Sequence, residues 1–203
     1  ILEQEATEDI QRLAGVSGGD ESSLSQPLEK LRNRLPWLVG VMALYIGASS
    51  AIAPFQKTIS LVPVLAVIMP LFSNTGGTVG IQALTVTIRS LGVGEVTPAD
   101  TMKILRREVL AGLGTALALG TTMVLLSLIW TSPETRWVGY VAGLVMAANS
   151  VIAVTLGTLL PMGLKLDPAL ISGPLVTTML DTIGFILFLT LITISLNILH
   201  LPT

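Results

Sequence analysis

The sequence predicts an all-α membrane protein, and three observations predict it. Apolar residues fill 51% of the 203 positions and charged residues only 12%, with a mean hydropathy of +0.79. An average soluble domain carries about 25% charge, roughly twice what this chain has for a water-facing surface. The apolar residues gather in five segments, at 37–53, 59–93, 109–130, 137–160 and 170–199. Trp37, Trp130 and Trp137 fall at segment ends, where membrane proteins place interfacial aromatics.

Residues 1–24 read as a cytoplasmic acidic segment and linker. ILEQEATEDIQRLAGV spaces Ile1, Leu2, Ala6, Ile10 and Leu13 as a short amphipathic helix would, and SGGDESS breaks it. The chain opens on Ile1 without a charged-then-apolar leader, which reads as a piece of a longer protein. Residues 25–35 read as a short amphipathic helix on the cytoplasmic side. Pro27 suits a first helical turn, Leu28, Leu31 and Leu35 share a face, and Lys30, Arg32 and Arg34 lie mostly off it. A plain basic flank to the first span fits the same residues.

Residues 36–203 read as a five-helix transmembrane domain. At about 1.5 Å per residue the second apolar segment is roughly 50 Å long, against a hydrocarbon core of about 30 Å. It therefore breaks or runs into the cytoplasm, with Pro63, Pro70 and the Gly76–Gly77 pair as the expected breaking points. No internal repeat is evident. Lys30, Arg32, Arg34, Lys103, Arg106, Arg107 and Lys165 fall on one set of flanks and loops, and only Lys57 and Arg136 on the other. That asymmetry places the N-terminus in the cytoplasm and, after five spans, the C-terminus outside a cell inner membrane.

The enzyme classes find no foothold. The sequence has no Cys, one His (His200), no HExxH, no GxSxG and no Walker loop. A net charge of −2 without a dense basic cluster gives no sign of nucleic-acid binding. Glu95 and Asp100 flank Pro98 in a connecting segment, with Thr97 a candidate helix cap.

One acid stands out. Of thirteen Asp and Glu residues only Asp181 lies well inside an apolar segment. A charge at the bilayer centre costs about 2.5–3.5 kcal/mol, so such a residue faces a bundle interior or a water path. Pro174, Thr177, Thr178, Gly184, Phe185 and Phe188 share its helix face. Thr177, Thr178 and Asp181 can offer oxygens to a hard cation or its hydration water, and carbonyls freed at Pro174 can add more. The competing reading is a protonated Asp181 that hydrogen-bonds a neighbouring span. One carboxylate is a poor divalent site, and a two-fold homodimer would bring two to one hydrated ion.

The second polar stretch is PLFSNTGGTVGIQALTVTIRSLG, residues 70–92. Ser73, Asn74, Thr75, Thr78, Gln82, Thr85 and Thr87 make it dense in oxygen. Gly76, Gly77 and Gly80 permit close backbone approach, which suits helix packing as well as ion contact. Arg89 falls at its cytoplasmic end.

These residues resemble the MgtE family of magnesium channels and transporters. The resemblance covers about residues 25–200 and rests on NTGGTVGIQALTVTIRSLGVGEV (74–96), RRE (106–108) and LDPALISGPLVTTMLDTIGF (166–185). It implies a homodimer of five-span subunits, with a pore on the two-fold axis lined by the second and fifth spans. It puts Asp181 in the position of the pore aspartate that selects magnesium, with Mg2+ bound there as the transported ion. Asn74, Gly76, Gly77, Thr78, Gln82, Gly173 and Pro174 then fall along the pore or its gate. Asp167 matches a cytoplasm-side acid ahead of the fifth span, and residues 27–35 look like the family's plug or connecting helix. Thr78 stands where the family motif GGNxGxQ has Asn, and Gly173 where relatives have the Asn of SNP. Family members also carry a cytosolic helical domain and paired CBS domains that sense magnesium and close the pore; these 203 residues contain neither.

Three readings stay open from the sequence: passive magnesium flow, a proton-coupled or broader divalent carrier, and a non-transporting subunit with Asp181 as a packing residue.

Overall fold

In a computed structural model the described residues are 11, 14–16, 21–163 and 173–199, and they are mostly helical, joined by turns, with no strand among them. Within residues 21–163 and 173–199 six α-helices follow in order: α1 Pro27–Ile52, α2 Gln56–Leu61, α3 Leu65–Gly92, α4 Thr101–Trp130, α5 Arg136–Gly163 and α6 Gly173–Ile198. Short 3-10 turns at Ala53–Phe55 and Pro98–Asp100 join α1 to α2 and lead into α4.

Prolines explain most of the boundaries. Pro27 opens α1, since its missing N–H would have had no helical partner there. The helix then runs unbroken through Pro36, so residues 27–35 and the first apolar segment form one rod rather than two helices. The long second segment breaks at Val62–Val64, around Pro63, and passes through Pro70 and Gly76–Gly77 without interruption. Gly94 closes α3 with a φ of 70°, its N–H donating to Leu91 O (3.1 Å) and Glu95 N–H to Ser90 O (3.0 Å). Arg89, in the last turn of α3, pairs with Glu95 at 3.4 Å. In the turn before α4, Thr97 N–H and hydroxyl both donate to Asp100 Oδ2 (3.0 and 2.9 Å).

Four helical stretches are both long and apolar enough to cross a membrane: Pro27–Leu61, Pro98–Trp130, Arg136–Met162 and Gly173–Ile198. α3 has the length, at 28 residues, but not the apolarity. The sequence leads one to expect five spans. By this measure there are four, because Ser73, Asn74, Thr75, Thr78 and Gln82 dilute α3.

α5 is the centre of the bundle. It runs parallel to α3, as the successive neighbours Gly76–Asn149, Gly80–Ala153 and Ala83–Gly157 show. It runs antiparallel to α4, where Gly112 meets Val154, Gly120 meets Ala147 and Ser127 meets Gly139. α6 is antiparallel to α3, matching Phe72 with Phe188, Ser73 with Asp181 and Gly77 with Thr177. α1 packs mainly on α6, and Val41 is its one buried residue.

Two apolar clusters fill the bundle. One gathers Phe72, Val145, Phe188 and Ile192, with the Phe72 and Phe188 ring centroids 4.6 Å apart. The other gathers Val79, Leu84, Ala153 and Leu180. On each of α3, α5 and α6 the residues between the clusters include a polar or glycine position: Gly76, Asn149 and Gly184. Asp181 lies close to this middle layer.

Candidate functional site

Asp181 sits on α6 at 9% exposure, facing α3. Its Oδ2 accepts a hydrogen bond from Ser73 Oγ of α3 at 3.2 Å, and its buried Oδ1 has no partner among the described residues. The carboxylate forms part of the wall of an open cleft of about 740 Å3, to which Tyr45, Pro70, Asn74, Thr78 and Thr177 also contribute. Among the described residues no three His, Cys, Asp or Glu side chains come together as a ready-made metal cage. The chain therefore offers a single carboxylate in a cleft lined by hydroxyls, an amide and apolar side chains, an arrangement that could meet a cation through its water.

The cleft exists because α3 is both close to α6 and polar. A Cβ on Gly77 would lie 2.7 Å from Thr177 Cγ2, so glycine there lets the two helices touch. Pro70 has no N–H to donate to the Ala66 carbonyl, and both residues line the cleft. Asn74, Thr78, Gln82 and Thr85 are all exposed and repeat at four-, four- and three-residue steps. They form one polar stripe along α3. The hydroxyls of Thr75 and Thr78 donate back to Leu71 O and Asn74 O (2.8 and 2.7 Å), leaving their lone pairs outward.

The other residues expected at the site divide by position. Thr177 and Thr178 both donate to Pro174 O (3.0 and 2.7 Å). Thr177 lines the cleft, whereas Thr178 is buried and lines a separate apolar groove of about 450 Å3 against Ala43 and Gly47 of α1. At 100° per residue, 177 and 178 fall on opposite sides of Asp181, which explains the split. Gly76 is buried behind the cleft, where a Cβ would collide with Asn149 Nδ2. Gln82, two turns from Asn74, belongs to a smaller cleft of about 180 Å3 with Glu108 and Thr115. Gly173 is buried at the start of α6, with Pro174 following it. Asp167 lies outside the described residues.

Two residues near the site escaped the sequence reading. Tyr45 reaches the cleft from α1. Asn149 on α5 is fully buried between Gly76 and Gly184, and neither its Nδ2 nor its Oδ1 has a partner among the described residues. The signal for Asn149 was its isolation, as the only Asn in the apolar segment 137–160.

The family model for MgtE, described as a divalent cation transporter, matches residues 69–191. The chain is 31% identical over 191 residues to the magnesium transporter MgtE of Enterococcus faecalis, covering 93% of this chain and 41% of that protein. It is 28% identical over 191 residues to the magnesium transporter MgtE of Bacillus subtilis, again covering 93% of this chain, and 42% of that protein. It is 31% identical over 198 residues to the magnesium transporter MgtE of Thermus thermophilus, with the same 93% and 42% coverage. The chain thus spans about two fifths of the length of these relatives.

Proposed function

The chain belongs to the MgtE family of divalent cation transporters, and from that premise we propose that it is the membrane part of a magnesium pore. Two copies face each other across a two-fold axis in a cell inner membrane, each crossing it five times, with the N-terminus in the cytoplasm. The Asp181 clefts of the two copies join into one aqueous path. A largely hydrated Mg2+ is drawn by the two carboxylates, held through its waters, and passes down its electrochemical gradient. Magnesium suits such a site because it dehydrates reluctantly and is commonly held by one or two carboxylates.

The observation that carries this reading is the exposed polar stripe Asn74–Thr78–Gln82 running on from the Asp181 cleft. Polar side chains and a carboxylate facing lipid are costly, and a facing second copy turns the same surface into the wall of a water-filled path. Rings of Asp are a standard cation filter.

A packing role for Asp181 draws on one observation of its own, the Ser73 hydrogen bond between α3 and α6. Magnesium uptake by proteoliposomes separates the readings. Under an imposed membrane potential the pore takes up Mg2+ in proportion to voltage, without proton counterflow. Uptake that needs a pH gradient makes it a proton-coupled carrier, and no uptake at all makes it a non-transporting subunit.

A further inference from the structure

Asn149 is a buried amide that the reading above leaves without a task. It is fully buried, and its carboxamide is one of the few buried side-chain groups lacking a partner among the described residues; the others are Trp37 Nε1 and Asp181 Oδ1. Trp37 Nε1 lies against Gly15, away from the cleft. That leaves one orphaned donor, Asn149 Nδ2, and two orphaned acceptors, Asn149 Oδ1 and Asp181 Oδ1, on helices that pack together, so the amide hydrogen has the Asp181 oxygen as the unpaired acceptor outside its own side chain.

The surroundings of the amide are shaped for it. Gly76 and Gly184 flank it on α3 and α6, and a Cβ on Gly184 would come within 2.9 Å of Nδ2. Gly76 is three residues from Ser73 on α3 and Gly184 three from Asp181 on α6, so each glycine against the amide lies one turn along its own helix from a member of the Ser73–Asp181 pair. It also lies in the middle layer, between the two apolar clusters, where an unsatisfied amide is most costly. Leu has the same branched side-chain skeleton and carries no such cost, so an Asn here points to a use of its hydrogen-bonding atoms.

We propose that Asn149 is a positioning residue for the ion site, its Nδ2 donating to Asp181 Oδ1 while Ser73 holds Oδ2. Asn149 and Asp181 do not bond each other in the structure. The link forms as the side chains adjust when the ion loads, or through one bridging water. With both oxygens held, the carboxylate presents a fixed face to the hydrated cation, and its orientation sets how tightly and how selectively the ion is held. This inference rests on the Asp181 pore reading.

The test is the magnesium dependence of uptake by proteoliposomes containing Asn149→Leu, Gly184→Ala, Asp181→Asn or the wild type, with thermal stability and oligomeric state measured on each. Asn149→Leu removes the donor and keeps the branched side-chain skeleton. Gly184→Ala leaves the donor in place but displaces it. Both variants are expected to stay folded and to keep the maximal rate within a few-fold. Both should raise half-saturating magnesium about ten- to a hundred-fold, as loss of a hydrogen bond to a charged group does, and narrow the preference for magnesium over calcium. A purely structural Asn149 predicts the opposite: unchanged magnesium dependence in both variants, whatever their stability. If Asn149→Leu does not fold, wild-type dependence in Gly184→Ala overturns the proposal alone. If Asp181→Asn also saturates as wild type does, the pore reading falls and the role of Asn149 falls with it.

Discussion

Ser73 on α3 donates its hydroxyl hydrogen to Oδ2 of Asp181 on α6, 3.2 Å away and 108 residues apart in the chain. The bond fixes one oxygen of the only acid buried at mid-bundle among the described residues and ties together α3 and α6, which both line the cleft. Ser73→Ala should therefore leave the bundle assembled and weaken magnesium dependence about tenfold, less than removing the carboxylate itself. Uptake titrated against external magnesium reads the difference.

The polar stripe of α3 should be wet. The natural sequence has no Cys, so single cysteines report without background. Cysteines placed at Asn74, Thr78 and Gln82 should react with a membrane-impermeant charged thiol reagent in intact membranes. Cysteines at Leu117 and Leu125, exposed apolar positions on α4, should not. Magnesium at saturating concentration should slow the reaction at Asn74 and Thr78, which line the Asp181 cleft, more than at Gln82, which does not.

The α4–α5 contact depends on glycine at one point and not at another. A Cβ on Gly120 would lie 2.9 Å from the Gly143 carbonyl oxygen and 3.0 Å from Ala147 Cβ, with backbone on the far side that cannot turn away. Gly120→Ala should destabilise by about 1–3 kcal/mol. Gly114, with nothing within 4 Å, should tolerate Ala and gain about 0.5–1 kcal/mol from its better helix propensity. Thermal melts in detergent compare the two.

The turn before α4 is acid-labile. The Thr97 backbone N–H first, and its hydroxyl second, hold the Asp100 carboxyl below the ordinary carboxylate range. A depressed folded value means that its contribution is fully present above about pH 3.9, the unfolded value, and fades as pH falls through the lower folded one. Hydrogen exchange of the Thr97 amide should show protection that is lost in that acid window. Asp100→Ala should lose the protection at every pH.

The sequence exposes much of this architecture because membrane helices announce themselves by composition. The hairpin of α4 and α5 falls within a few residues of its expected ends, apart from the first turns of α4, which are too charged to read as span. Breaks were harder. Pro63 and Pro70 look alike in the sequence, yet Pro63 ends a helix and Pro70 sits in the second turn of the next, where a single lost hydrogen bond is absorbed. Pro36 is absorbed in the same way, which merges residues 27–35 with the first span.

Side-chain placement was legible only as far as helix geometry carries it. Asp181 stood out because an acid in an apolar run has few explanations. Thr178 and Gln82 share composition with the cleft residues but face other grooves, a matter of rotation about each axis that neighbouring helices decide. Asn149 needs three helices at once to be understood, since its two glycine neighbours lie 73 and 35 residues away in sequence.

The most direct measurement is magnesium uptake by liposomes reconstituted with wild type, Asp181→Asn and Asp181→Ala, each confirmed as folded and of the same oligomeric state. A pore organised on Asp181 predicts that wild type takes up magnesium and that both variants lose uptake or lose preference for magnesium over other cations. Wild-type uptake and selectivity in both variants would make Asp181 a packing residue and move the ion path away from the α3–α6 cleft.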